Sequence, residues 1–455
     1  MVSSLLCSNM SKMAEHEILV QRTSFTTVTT ATTTGDGKVH ELKAIDLAFK
    51  FHYIKGLYFF KNIHLEIFKM KELTCQWLMS YATTCGRIRV PEAGRPFIKL
   101  NDAGIRYIEA QASTTIDEWF RTGGSDHQDK LVPDHAEGFE LIYTPLVLLQ
   151  MTRFKCGGMS IGLSWAHVLG DMFSAISFMN SMGPSLQGNY SSTLHLDTPS
   201  PPSPRCSRSV AKKPVSLKPV DPTDNSWTLP TTQKMATHTF HLKSDQLVKL
   251  YSSTIHTQSS EDHDRSTHIR PFELISAILW ECIARIREDQ TGLKTVTLCC
   301  SKTNPKDREK TIPYNGLEVY IVSVDFSVSE ADIMKLASAL VEEKVEENGM
   351  IEEMVEEAMA EQGKCDCIVY GANLTFINME GANVYGFEVQ GQKPIFMRYS
   401  IGYVGEGGAI LVGDEPDIIN EGINNNKNGR IVIAILPENE VEQLKNMLKQ
   451  DYEIV

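Results

Sequence analysis

Apolar residues in this chain recur every three to four positions in some stretches. In others they alternate or run unbroken, so helices and strands are predicted in mixed order. The clearest helix is Phe272–Arg287, where Leu274, Ile275, Ile278, Leu279, Ile283 and Ile286 fall on or near one face and Trp280 lies among them. Further helices are predicted at Leu65–Tyr81, closed by Gly86-Arg87, and at Thr115–Phe120, Ser244–Thr254 and Glu438–Lys449. From Ala44 to Phe60 a helix gives way to an aromatic strand, with His52 placed as a half-buried helix residue. A strand pair is expected at Leu146–Phe154 and Met159–Ala166, and Phe97–Leu100 with Ile105–Ala110 reads as a hairpin turning at Asn101-Asp102. Later strands are predicted at His238–Leu242, Thr295–Cys300, Leu317–Phe326, Asn373–Asn378, Ile395–Tyr403, Ala409–Val412 and Ile431–Leu436. Threonines between 18 and 30 give high β-propensity over low apolar content, which suits an edge strand.

Glu330–Glu361 reads as one long helical stretch interrupted near Asn348-Gly349. Its apolar positions are Leu336, Leu340, Val341, Val345, Ile351, Met354, Val355 and Met359. The glutamates between Glu342 and Glu357 fit a solvated face, with docking of a basic partner as the functional alternative. Ser259–His268 is polar and reads as a loop.

Residues 183–233 differ from both flanks. Thr198-Pro-Ser-Pro-Pro-Ser-Pro204 can join neither a helix interior nor a central strand. Arg205, Arg208, Lys212 and Lys213 follow it as a solvated crossover or as a contact for a phosphate or an acidic partner. The resulting division is a disordered N-terminus over 1–15, an N-terminal domain over 16–185, a Pro-rich crossover over 186–234 and a C-terminal domain over 235–455. Both halves mix strands with helices, which predicts an α/β layered fold of two similar-sized domains meeting across a cleft.

Composition narrows the function classes. The 455 residues carry a net charge of −13, which argues against nucleic-acid binding through a broad basic surface. No apolar run approaches the roughly 20 residues a membrane-spanning helix requires. Ten cysteines are scattered without a disulfide framework, as in a reducing compartment. Cys299-Cys300 and Cys365-Asp-Cys367 lack the spacing of a zinc site, so no metal is expected.

Candidate chemistry centres on His167. The residues Met159–Ala166 are apolar or small, with Gly157 and Gly158 in front, and read as a buried strand. After Asp171 the period becomes helical through Met172, Phe173, Ile176, Phe178 and Met179, so Asp171 suits an N-cap. His167 therefore stands where a strand runs out and a helix begins. A neutral imidazole there is suited to take a proton from a hydroxyl or amine that attacks a thioester. The same spacing recurs at His241 to Asp245 in an unremarkable segment. Spacing alone thus leaves two readings, a general base or a core histidine followed by a capping aspartate.

The sequence around His167 resembles the BAHD acyl-CoA-dependent acyltransferases of plants, and within them the Eceriferum and Glossy branch. The resemblance is carried by Phe154-Lys-Cys-Gly-Gly through Ser164-Trp-Ala-His-Val-Leu-Gly-Asp171, and by Tyr370-Gly-Ala-Asn-Leu-Thr-Phe-Ile-Asn378. Weaker matches are Ile45-Asp46-Leu47 with Tyr58-Phe59-Phe60, Gly86-Arg87, Asn101-Asp102-x-Gly104, and Phe272-Glu273 through Trp280. This likeness implies a two-domain BAHD fold, each domain related to chloramphenicol acetyltransferase, with mixed sheet, flanking helices and a channel between the domains. It implies His167 as the general base at the channel's centre, and Asp171 turned away from it in a structural role, through an arginine. It implies no tightly bound cofactor, with acyl-CoA as substrate or ligand.

Three departures bear on activity. Met172 stands where the family usually has glycine after the motif aspartate. The C-terminal Asp-Phe-Gly-Trp-Gly motif is replaced by Glu388-Val-Gln-Gly-Gln392, followed by Lys393-Pro394, and Tyr314-Asn-Gly-Leu317 replaces Tyr-Phe-Gly-Asn. The Eceriferum and Glossy branch shows this combination. The resemblance then implies an accessory protein of the fatty acid elongase, working with its condensing enzyme, a 3-ketoacyl-CoA synthase. It would act at the cytoplasmic face of the endoplasmic reticulum, held there peripherally from the cytosol, in very-long-chain elongation for cuticular wax. The alternative is an acyl-CoA-dependent O- or N-acyltransferase that uses His167.

Overall fold

The computed structural model describes residues 19–454 apart from 62, 64–65, 93, 123–128, 135–142, 190–212, 222–232, 256–268, 288–292, 303–313 and 420–421. The expected disordered start, the Pro-rich run with Arg205, Arg208 and Lys212, and the loop Ser259–His268 lie outside the described residues.

The chain builds a mixed α/β fold around two large sheets. The first has six strands in the order Val20–Val28, Ile105–Ala112, Val147–Arg153, Met159–Ala166, Tyr53–Phe60 and Phe396–Gly402. Its pairs are antiparallel except Ile105–Ala112 with Val147–Arg153. The last strand comes from the far end of the sequence, and its register sets Tyr399 opposite Gly56 and Gly402 opposite Tyr53. Gly56 has a reason to be glycine, because a Cβ there would lie 3.0 Å from the Tyr399 ring.

The second sheet has seven strands in the order Met235–Leu242, Gly422–Pro437, Ala409–Ile419, Leu374–Met379, Thr295–Ser301, Leu317–Ser323 and Val345–Glu346. Leu374–Met379 is parallel to both of its neighbours. Helices Pro271–Ile286, Ile333–Glu342 and Glu438–Tyr452 contribute to a core confined to this half. Trp280 is fully buried there, and its indole donates to the Leu293 carbonyl at 2.7 Å. A larger core joins Phe49, Trp165, Met172 and Phe178 of the first half to Ile351, Val355, Tyr370 and Ile433 of the second.

Several sequence expectations are corrected. Phe97–Lys99 and Ile105–Ala112 form no hairpin. The former pairs with Val39–Glu41 and Arg87–Arg89 in a small separate sheet, and the latter with Val20–Val28 and Val147–Arg153. Between them Asp102, at φ +51°, uses its carboxylate to hold Thr30 and Thr34. His52 is not half-buried in a helix: the helix spans only Ala44–Ala48, and His52 is fully buried in the connection to the next strand. The long acidic stretch is two helices, Ile333–Glu342 and Asn348–Gln362, split by the short strand Val345–Glu346, where Val345 is exposed rather than apolar-packed. Nor are its glutamates uniformly solvated. Glu347 is buried and accepts from the Val215 and Ser216 amides at 3.0 and 2.8 Å, fastening the chain that enters the second half.

Candidate active site

His167 is delivered by the strand Met159–Ala166, every residue of which is buried. The strand ends in a single 3-10 turn, His167–Leu169. Gly170 follows at φ +149°, and a Cβ there would lie 2.8 Å from both the Ser174 side chain and the Tyr314 amide. Asp171 then caps the helix Met172–Ser185, accepting from the Ser174 amide at 3.1 Å. Its second carboxylate oxygen accepts from the Gly316 amide at 2.9 Å. Asp171 thus fastens the Tyr314–Leu317 segment of the second half to the histidine turn through backbone amides. Met172 is buried in the shared core.

The imidazole of His167 has no exposed surface. One face stacks on Phe49, with centroids 4.4 Å apart and planes 7° from parallel. Its Nε2 lies 3.0 Å from the Tyr370 hydroxyl. Its Nδ1 and the Asn315 side-chain oxygen are both buried without a hydrogen-bond partner in reach. The other end of the Asn315 amide is committed, donating to Asp46 at 2.7 Å and to the His167 carbonyl at 3.1 Å. The Asn315 side chain raises the basicity of His167. With the Tyr370 phenol as donor, Nε2 accepts and the imidazole proton sits on Nδ1. Burial nevertheless lowers the His167 pKa to about 4, against the opposing pull of Asp171. Burial also pushes the Tyr370 phenol well above its usual value, so it keeps its proton and donates.

His52 completes the cluster. Its Nδ1 donates to the Tyr403 carbonyl at 3.0 Å, and its Nε2 faces the Val369 and Tyr370 amides, each at 3.3 Å. Its backbone carbonyl accepts from the His167 amide at 3.1 Å. Burial, then repulsion from His167, lowers its pKa to about 3. Asp46 is buried as well, and burial raises its pKa against the hydrogen bonds from Asn315 and the Lys43 amide.

Two cavities lie beside this cluster. One, of about 380 Å³, is lined by Thr30, Thr34, His40, Tyr81 and Leu169 among others. The second, of about 540 Å³, is lined by Lys55, Asp134, Ser400, Tyr403 and Ile435 among others. Neither is lined by His167, Phe49 or Tyr370. The segment that replaces the family's C-terminal motif lies apart from them. It is a tight turn with Gln390 at φ +52° and Gly391 at φ +74°, closed by the mutual backbone bonds of Val389 and Gln392. It abuts the capped helix, since a Cβ on Gly183 would come within 2.3 Å of the Glu388 carbonyl.

The structure thus brings His167 and Asp171 to one turn and surrounds them with groups that the pattern along the chain did not single out. Asp46 and Tyr370 were given no role from the sequence, although both sit in stretches that carry the family resemblance, a signal that could have found them. Asn315 sits in a departing segment. Phe49 and His52 carry no signal of their own, because their roles depend on elements distant in sequence.

Comparison with known proteins agrees with this architecture. The model of the Transferase family matches residues 18–445. Protein ECERIFERUM 26 of Arabidopsis thaliana is 34% identical over 429 residues, covering 92% of each chain. Protein ECERIFERUM 2 of the same plant is 32% identical over 439 residues, covering 92% of this chain and 95% of the relative. Among solved structures, vinorine synthase superposes with a TM-score of 0.67 at 15% identity, over 93% of this chain and 96% of that one. F. graminearum TRI101, solved with coenzyme A and deoxynivalenol, gives 0.64 at 12% identity, over 92% and 98%. Matched over nearly its whole length by the family model, and by relatives more than 30% identical, the chain belongs to the Transferase family, the BAHD superfamily that its motifs resemble.

Proposed function

We propose that this chain is an accessory protein of very-long-chain acyl-CoA elongation for cuticular wax, with acyl-CoA as its ligand. Its partner is the elongase's condensing enzyme, a 3-ketoacyl-CoA synthase, at the cytoplasmic face of the endoplasmic reticulum. The observation that carries this reading is the closure of His167: stacked on Phe49, bonded to Tyr370 and without exposed surface, its imidazole is packed into the interior. An acceptor hydroxyl must come within about 3 Å of a general base to lose its proton to it, and the Tyr370 phenol already occupies that distance. The likeness to the Eceriferum proteins and the loss of the C-terminal motif support the same conclusion. The division into domains over 16–185 and 235–455, joined by a crossover over 186–234, belongs to this reading, and the grip of Glu347 on Val215 and Ser216 supports it.

A second reading, acyl-CoA-dependent O- or N-acyl transfer, draws on one observation. His167 Nε2 already meets a hydroxyl at 3.0 Å, as a general base requires. The two readings separate on His167→Ala, expressed with the condensing enzyme in cells whose very-long-chain products are profiled at equal protein abundance. The accessory reading expects the product profile to persist. A working base would lose about 10²–10⁴ in rate, and a loss of that size defeats the accessory role.

A further inference from the structure

The segment around Tyr370 is built more firmly than a packing residue requires. Gly371 follows at φ +81°, and a Cβ there would strike the Gly405 backbone at 2.4 Å. The Tyr370 carbonyl accepts from the Gly405 amide at 3.0 Å, while its own amide meets His52 Nε2. Two fixed points therefore aim the phenol at His167 Nε2, and the Tyr370 ring packs against Phe49 with centroids 5.1 Å apart. On the other side Asn315, held by Asp46, donates to the His167 backbone carbonyl. A base whose reactive nitrogen is met by the protein's own hydroxyl is a general-base position with an internal stopper.

We propose that Tyr370 is the lock on a latent acyl-transfer centre: its phenol takes the place of an acceptor hydroxyl on His167, and turnover requires that phenol to leave. This rests on the reading of His167 as closed in the accessory protein. Once the phenol is removed, an alcohol or water binds at Nε2. Its proton passes to Nε2 as its oxygen bonds to the carbonyl carbon of an acyl thioester. The carbon–sulfur bond then breaks, and the departing thiolate takes the proton from His167 to give free coenzyme A and an ester or acid. Tyr370 is a positioning residue in this scheme; His167 is the group that touches the reacting atoms.

The test compares the parent with Tyr370→Phe, which removes only the hydroxyl, and Tyr370→Met, which also removes the ring. Carbethoxylation by diethyl pyrocarbonate is followed at His167 by peptide mass spectrometry, with the partly exposed His241 (side chain 44% exposed) as internal reference. In the parent, His241 is modified and His167 is protected. In Tyr370→Phe, at an unchanged thermal midpoint, His167 is modified roughly tenfold faster, the population shift that one lost hydrogen bond permits. Thiol release from a very-long-chain acyl-CoA, with and without a primary alcohol, rises in the same variant and is abolished by adding His167→Ala. An unchanged His167 labelling rate in both variants, or labelling without His167-dependent thiol release, overturns the lock. Should Tyr370→Met fail to fold, Tyr370→Phe decides alone. If His167→Ala abolishes elongation in cells, the accessory reading falls while the labelling comparison still decides the lock.

Discussion

His167 and His52 are neutral for the same physical reason, which bears on how the protein answers acid. Burial holds His167 near about 4 and His52 near about 3, whereas an unfolded chain binds a proton at each near 6.5. Both folded values lie below the unfolded one, so the stability at stake is fully present above pH 6.5. It is lost as pH falls from there toward the folded values, because the unfolded chain then takes up protons the native state refuses. Each imidazole contributes a slope of up to about 1.4 kcal/mol per pH unit across that window. The thermal midpoint of the parent should fall between pH 6.5 and 4, and His167→Gln should show a shallower fall by about one proton. Equal slopes would mean that His167 is not held neutral by burial. At this scale the sequence showed which residues are chemically capable. It did not show that Phe49 would cover the imidazole, or that Asn315 would bridge Asp46 and the His167 carbonyl, since both depend on contacts across more than 100 positions of chain.

Elements were legible in proportion to how much of their energy is local. The helix read as Phe272–Arg287 spans Pro271–Ile286, because its apolar stripe and first-turn proline act within one segment. Trp280→Ala should lower stability by about 3–5 kcal/mol, the usual result of truncating a buried tryptophan, through both the cavity and the orphaned Leu293 carbonyl. Thermal midpoints equal to the parent's would refute its place in the core. The cap at Asp171 was also local: a polar side chain before a helical stripe, accepting from the amide three residues on. The supposed hairpin at Asn101-Asp102 failed because turn chemistry says that the chain bends, not which strands pair afterwards. There the bend passes between two different sheets.

The two halves behave as one body because they share a sheet, a core and a buried charge. Phe396–Gly402 completes the first sheet, and Lys50 meets Asp366 at 2.6 Å with side chains only 6% and 14% exposed. Breaking a buried pair from one side costs about 3–5 kcal/mol, whereas replacing both members by apolar groups is often neutral. Asp366→Ala should therefore destabilise strongly by urea titration, and the double variant Lys50→Met with Asp366→Leu should recover most of the loss. If the double variant is no better than the single, the pair is not the source. Among the described residues no helix is long and apolar enough to cross a membrane. On the proposed role, salt or mild detergent should release the protein from endoplasmic reticulum membranes, and retention through alkaline carbonate would contradict peripheral attachment.

By itself the sequence determined the mixed order of elements, the strand-to-helix turn that presents His167, the cap at Asp171 and the family to which the chain belongs. These follow from periodicity, propensity and short motifs, whose energies act between residues a few positions apart. Only the tertiary structure decided that a strand from the second half closes the first sheet, that His52 links the Tyr370 and Tyr403 segments, and that Tyr370 fills the base position of His167. Those pairings join residues from 203 to 351 positions apart, and the Phe49 stack on His167 reaches across 118. Their energy comes from burying polar groups that must then find partners, wherever along the chain those partners lie.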